Sequence, residues 1–310
     1  MKHKELIRSI VYGHAVADAL GVPVEFEGRG TLQKDPVTGM RAYGTYHQPA
    51  GSWSDDTSMA LATMDSLSAA GIDYEDTMAR FTDWMENGAY TATGVFFDIG
   101  ITTRHAIRRH LQGTAALRCG STCEHDNGNG SLMRIYPVVL YSCMHEYDTK
   151  QMITLVHNFS ALTHAHPRCM MGCGIYAFVL KALLTGDTIP KALSDAKAFY
   201  ESHPFHHELD HYSLIFSDNF IDTPSYRIES GGYVVSSLEA ALWCVMNGES
   251  YSDCVLTAVN LGRDTDTIAA ITGSLAGVLF GMEDIPMEWL DTLLNRELID
   301  QVIESFSECN

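Results

Sequence analysis

Two short stretches of the chain gather oxygen-bearing side chains at what read as helix starts. Ser54-Asp55-Asp56-Thr57 precedes Met59-Ala60-Leu61-Ala62, and Asp264-Thr265-Asp266-Thr267 precedes Ile268-Ala269-Ala270-Ile271. Each stretch alone is satisfied by helix capping, because Asp, Ser and Thr accept from first-turn N–H groups and complement the positive end of the dipole. Taken together they suggest more. Ala269, Gly273 and Gly277 recur at four-residue spacing, a smooth ridge that another helix can approach closely. If the two N-termini converge, the carboxylates of Asp55, Asp56, Asp264 and Asp266 converge too, and each helix terminus compensates only about half a charge. Divalent cations could compensate the rest. Carboxylates and hydroxyls as donors suit Mg²⁺ or Mn²⁺ and argue against zinc.

Three other segments carry chemistry-bearing side chains. Gly13 to Phe26 reads as a helix entering a tight Gly/Pro turn, followed by Glu25. A loop carboxylate can serve as a base, although most glutamates are solvated surface groups. Asn127-Gly128-Asn129-Gly130-Ser131 precedes a helical stretch starting at Leu132. Glycines before a helix start expose N–H groups that can cradle a phosphate, but such strings are more often plain turns. His207-Glu208-Leu209-Asp210-His211 satisfies H-E-x-x-H, which on an α-helix puts two imidazoles on one face with a glutamate beside them, as in zinc peptidases. Pro204 just upstream, Asp210 inside the motif and the lack of a third ligand at a familiar spacing favour a solvated histidine-rich loop. A zinc peptidase through His207 and His211 is the remote alternative.

The elements that must hold these residues are helical. Apolar residues recur at helical spacing from Leu6 to Ala15 and, in outline, over 57–70, 74–87, 97–112, 131–144, 149–161, 168–184, 188–201, 233–247, 250–260, 266–280 and 293–307. Arg41–His47 is the best short strand candidate. The expected class is therefore all-α, with about a dozen helices. Two long loops, Gly113–Gly130 and Ser202–Gly232, stand out, and long ordered loops in compact domains are often functional. No repeat, low-complexity tract or obvious linker divides the chain.

Composition narrows the function classes. The 310 residues carry 39 acidic and 20 basic side chains, a formal net charge of -19. Such a surface repels phosphate backbones, so nucleic acid is not expected as a general partner. The eight cysteines are scattered through apolar or helical sequence. They read as reduced, mostly buried thiols of a cytoplasmic protein; Cys119/Cys123 and Cys169/Cys173 form no C-x-x-C knuckle. Glu5, Arg8, His14 and Asp18 interrupt the first apolar stretch, which is therefore no signal peptide, and no membrane association is expected.

In order along the chain, these strings form one pattern. Gly13 to Phe26 (G-x-x-x-x-D-A-L-G-x-P-x-E-F), W-S-D-D-T at 53–57, F-D-I-G-x-T-T-R at 97–104, G-N-G-S-L-M-R at 128–134, T-H-x-H-P at 163–167, G-Y-V-V-x-x-L-E-A-A-L-W at 232–243 and D-T-D-T-I-A-A-I-T-G at 264–273 resemble the ADP-ribosylglycohydrolase family. The likeness is greatest to its bacterial branch, the dinitrogenase-reductase-activating glycohydrolases. The resemblance implies a compact all-α single domain over 1–310 with a two-metal site at helix N-termini, holding two Mg²⁺ or Mn²⁺. The implied metal ligands are Ser54, Asp55, Asp56, Asp264, Asp266 and Thr267. Glu25 matches the family's loop glutamate, and Asp98 matches an aspartate of the arginine-directed branch, although it could simply cap a helix beginning near Ile99. Implied ligand contacts are Asn129, Gly130, Ser131, His164 and Tyr233. The implied reaction removes ADP-ribose from a modified protein, with arginine the expected linkage. Alternatives are serine-linked or O-acetyl ADP-ribose as substrate, or an immunity role against a cognate ADP-ribosyltransferase. Arg263 departs from the family's usual glycine and is expected to add a cation beside the metals.

Overall fold

In the computed structural model, which describes residues 2–309, α-helices are joined by loops and short 3-10 turns, and the described residues contain no β-strand. The helices are α1 (Lys2–Gly21), α2 (Arg29–Leu32), α3 (Asp55–Ala70), α4 (Tyr74–Asn87) and α5 (Ile101–Leu111). They continue as α6 (Tyr136–Met144), α7 (Thr149–Ala161), α8 (Pro167–Leu184), α9 (Ile189–Glu201) and α10 (Val234–Asn247). The chain closes with α11 (Tyr251–Asn260), α12 (Thr265–Phe280), α13 (Met287–Thr292) and α14 (Arg296–Ser307). The local sequence accounts for many of the ends. Asp73 accepts from the Glu75 and Asp76 amides to start α4, and Gly88 ends it with a left-handed residue. Asp148 and Gln151 form a reciprocal capping box on α7.

Four expectations change. The helix foreseen from residue 97 begins only at Ile101, because Asp98 holds a left-handed φ of 53° and Gly100 is the N-cap. The helix foreseen from 131 begins at Tyr136; the preceding residues form a turn in which the Leu132 and Met133 amides both reach the Asn129 carbonyl. The stretch 293–307 is broken by Asn295, at φ 44°, so that α14 starts at Arg296. Arg41–His47 makes no strand, since Tyr43 and His47 take positive φ and fold the segment back so that the Thr45 amide reaches the Pro23 carbonyl.

Helix α1 lies along α12, the most extensive helix pair in the molecule. The small-residue ridge explains the closeness: a Cβ on Gly273 would run into the Gly13 carbonyl, and one on Gly277 into that of Ser9. Helices α10, α11 and α8 cover α12, while α3 and α14 pack on the other side of α1. Helix α8 has the length and hydropathy to cross a membrane, but most of it is buried against other helices. The end of α1 abuts the start of α12, where the Thr265 hydroxyl donates to the Gly21 carbonyl at 2.8 Å.

Candidate functional site

The two acidic helix starts do converge. Asp18, fully buried near the end of α1, accepts from the Ser54 amide at 3.0 Å, the Thr57 amide at 3.1 Å and the Thr57 hydroxyl at 2.7 Å. These bonds fasten the start of α3 to α1. The Thr267 hydroxyl of α12 donates to Asp56 Oδ2 at 3.2 Å, joining the third element. The Ser54 hydroxyl accepts from the Asp56 amide and donates to Asp56 Oδ2 at 2.9 Å. As a result, carboxylate oxygens of Asp18, Asp56 and Asp266 lie within 4.8 Å of one another, and so do those of Glu25, Asp98 and Asp266. Asp18 is absent from the ligand set foreseen in the sequence. Its oxygens are taken up by α3, and we read it as the group that holds the other carboxylates in place.

The donor set fits divalent cations. Asp56 Oδ1, Asp266 Oδ2 and Glu25 Oε2 are buried with no hydrogen-bond partner. Such groups are costly unless a cation or donor meets them. Among the described residues, the groups spaced to hold an ion are all carboxylates, which suits a hard cation. Burial is the main cause that lifts the Asp55, Asp56 and Asp266 carboxyls well above their usual range, followed by Asp98 for Asp55, Asp18 for Asp56 and Glu25 for Asp266. Burial, then Asp98, pushes Glu25 up to about 9, and burial pushes Asp18 up to about 6.

These shifts carry a prediction for the metal-free protein. Unfolded carboxyls titrate near about 4, so between there and the raised values the folded chain holds the extra protons. Stability of chelator-treated protein should therefore fall as pH rises from about 5 to about 8, the window that spans the Asp18 value and approaches that of Glu25. Added Mg²⁺ or Mn²⁺ should restore it, more strongly at the higher pH, by about 2.7 kcal/mol at a hundred times the dissociation constant. Thermal unfolding across that range checks this. A midpoint in chelator that rises with pH would contradict the repelling cluster.

The cluster lies beside a cleft of about 310 Å³ walled by the starts of α3, α5 and α12 and by the glycine loop. Glu25, Asp55, Asp98 and Asp264 face it. The left-handed backbone turns Asp98 out of the α5 cap position, and Gly100 caps α5 without a side-chain bond. Capping therefore does not account for Asp98. Instead it meets Asp55 and Tyr46. Tyr46 also neighbours Glu25, so one phenol stands beside both loop carboxyls, and burial, then Asp98 and Glu25, keeps it protonated. Nothing in the sequence marked Tyr46; only the folding back of residues 43–48 brings it here.

The expected ligand contacts divide. Gly130 and His164 line the cleft, and a Cβ on Gly130 would sit 2.9 Å from the His164 ring and 3.0 Å from the Thr103 hydroxyl. Asn129 also lines it, but its amide nitrogen is committed to Asp264 Oδ2 at 2.7 Å and Ser237 at 2.8 Å, so it braces the Asp264 carboxylate. The Ser131 side chain turns inward to Ser160 at 2.9 Å, leaving only its backbone to face a ligand. Tyr233 stands outside the lining, beside Arg168. Thr103, unforeseen as an individual contact, adds a buried hydroxyl without a partner.

Two expectations fail on geometry. The H-E-x-x-H string lies in a 3-10 helix, His206–Tyr212, where residues four apart no longer share a face. Glu208 is buried against Arg168 at 2.8 Å, and His211 Nε2 accepts from the same guanidinium, so no zinc site forms there. Arg263 brings no cation to the carboxylate cluster: its exposed side chain pairs with Glu229 at 2.9 Å. Its backbone matters instead. With φ 67° it exchanges two hydrogen bonds with the Phe26–Glu27 turn and so holds Glu25 over the cleft.

A family model described as ADP-ribosylglycohydrolase matches residues 1–309. The chain is 32% identical over 299 residues to the ADP-ribosylarginine hydrolase Tri1 of Serratia proteamaculans, covering 96% of this chain and 77% of that one. It is 30% identical over 298 residues to the ADP-ribosyl-[dinitrogen reductase] glycohydrolase of Rhodospirillum rubrum, covering 94% and 92%. A solved structure of an ADP-ribosylglycohydrolase-related protein complex superposes with a TM-score of 0.81 at 30% identity, over 99% of this chain and 98% of that one.

Proposed function

Because the chain belongs to the ADP-ribosylglycohydrolase family and is a glycohydrolase that removes ADP-ribose, we propose that its substrate is a protein carrying ADP-ribose on arginine. The enzyme would cleave the N-glycosidic bond with the help of divalent cations and release ADP-ribose. The observation that carries the arginine linkage is Asp98. It is a carboxylate placed in the cleft by a left-handed backbone, with capping excluded as its reason. A guanidinium leaves readily only if it stays protonated, and a carboxylate beside it favours that form.

Asp55, Asp56, Asp264 and Asp266, with Ser54 and Thr267, are the residues that would hold two ions, Mg²⁺ or Mn²⁺. Bound cations of this kind supply Lewis acidity and a lowered pKa for water. The rest belongs to the chain. With cations offsetting the neighbouring carboxylates that raise its pKa, Glu25 would be ionised, and its buried, unpartnered Oε2 would take a proton from the attacking water. Tyr46 lies beside both Glu25 and Asp98 and favours their ionised forms. Gly130, through the lack of a side chain, leaves room for the ligand's diphosphate beside His164. All these parts belong to one domain, and the eight free thiols fit a reducing cytoplasm.

The test offers the enzyme arginine-linked and serine-linked ADP-ribosyl peptides with and without EDTA. Arginine-linked peptide should be cleaved at least about tenfold faster, a difference of about 1.4 kcal/mol in transition-state stabilisation, and EDTA should stop both reactions. Faster release from serine would refute the linkage.

A further inference from the structure

We propose that Arg134 and Thr163 are positioning residues that fix the ring proton of His164 on Nε2, so that His164 presents a standing neutral N–H donor to the diphosphate of ADP-ribose. The ligand in this inference rests on the function proposed above; the proton placement does not.

The chain of donors begins at Arg134, whose side chain is fully buried. Its Nη2 donates to Thr163 Oγ1 at 2.8 Å. A guanidinium has only donors, so the threonine oxygen must accept. The same oxygen lies 2.8 Å from His164 Nδ1. Thr163 is buried, and among the described residues its hydroxyl meets no other side-chain or backbone acceptor. Its single hydrogen therefore goes to Nδ1. An imidazole that accepts on Nδ1 and is neutral carries its proton on Nε2. Burial, then the nearby Arg134 charge, pushes the His164 pKa down to about 3, which excludes the imidazolium at neutral pH. The backbone is held too: the Ser160 hydroxyl donates to the His164 carbonyl at 2.9 Å, and Ser131 supports Ser160 at 2.9 Å.

The freed edge of the ring faces the glycine loop. A Cβ on Gly130 would lie 3.4 Å from Nε2, and one on Gly128 would lie 3.7 Å from it. The amides of Gly130 and Ser131 have no protein acceptor among the described residues, and neither does the buried Thr103 hydroxyl beside them. This corner of an acidic cleft thus collects donors. Arg134 makes no carboxylate pair among the described residues; besides Thr163 its Nη2 reaches only the Phe159 carbonyl at 3.3 Å, and its Nε and Nη1 have no partner. Although burial lowers its pKa to about 10, it remains charged at neutral pH. An anionic group at the glycine loop would answer that buried charge.

The experiment reads ring nitrogens directly. ¹⁵N NMR of the ligand-free full chain, with His164 assigned by its loss in His164→Gln, should show a neutral Nε2–H tautomer between about pH 5 and about pH 8. Thr163→Val should mix the tautomers and weaken ADP-ribose binding about tenfold by calorimetry. Thr163→Ser, which keeps the hydroxyl, should restore both. Thermal unfolding shows that the variants are folded, and the wild-type spectrum decides even if Thr163→Val is not. An Nδ1–H tautomer or an imidazolium in the wild type overturns the inference. So does a folded Thr163→Val with unchanged tautomer and affinity. If wild-type protein shows the Nε2–H tautomer but binds no ADP-ribose, the proposed ligand falls while the proton placement stands.

Discussion

Asp266→Asn should lower turnover by at least about a thousandfold at any metal concentration that can be reached, while leaving the fold intact. Asp266 belongs to both carboxylate groups beside the cleft, and its Oδ2 is buried without a protein partner. If that oxygen holds a cation, its loss removes several kcal/mol of transition-state stabilisation, and each 1.36 kcal/mol is a factor of ten. The fold should survive because Oδ1 can still accept from the Thr267 amide, as it does at 2.9 Å. The metal-free variant should even match or exceed the metal-free parent in unfolding temperature near pH 8. The substitution deletes one charge from a cluster in which Glu25, Asp56 and Asp264 all press on Asp266. Steady-state kinetics with Mn²⁺ titration, beside unfolding curves in EDTA, check both halves. Full activity at saturating metal would remove Asp266 from the ligand set.

Asp98→Asn should lower kcat on arginine-linked substrate by about a hundredfold or more, the scale of a lost general acid–base group, and change affinity for free ADP-ribose little. Asparagine is the better replacement. Asp98 sits at φ 53°, a conformation that asparagine tolerates and alanine resists, so alanine would mix a backbone penalty with the chemical loss. No capping energy is at stake, since Gly100 and not Asp98 stands at the α5 cap. Turnover of arginine-linked peptide, calorimetry with ADP-ribose and thermal unfolding separate the contributions. A variant that kept kcat would leave Asp98 without a chemical role.

The all-α class was legible because apolar periodicity needs only local sequence, and the ridge of Ala269, Gly273 and Gly277 signalled a close helix partner, which is α1. The acidic helix starts were legible for the same reason. Their meeting was an inference from charge, and the structure brings it about through Asp18 and Thr267. Where reading failed, backbone geometry was the cause. Positive φ at Asp98, Tyr43, His47 and Asn295 cannot be seen in a hydrophobic pattern, yet it shortened α5, removed the foreseen strand and delayed the start of the last helix. H-E-x-x-H misled because the motif presumes an α-helix, and residues 206–212 wind more tightly. Tyr46, Thr103 and Asp18 escaped notice as individual contributors because each acts through long-range proximity.

The union of α1 and α12 also has a consequence for how the protein comes into being. The bond from Thr265 to Gly21 spans 244 residues, and that from Tyr251 to Gly13 spans 238. A ribosome adds about 5–20 residues per second, so roughly 12–50 s separate the emergence of α1 from that of its partner. Throughout that interval the apolar flank of α1 around Ile10, Val16 and Ala17, fully buried at the end, has no α12 to rest on. The carboxylate-rich cleft therefore assembles only when vectorial synthesis is nearly done, because Asp264 and Asp266 are the last of its carboxylates to emerge.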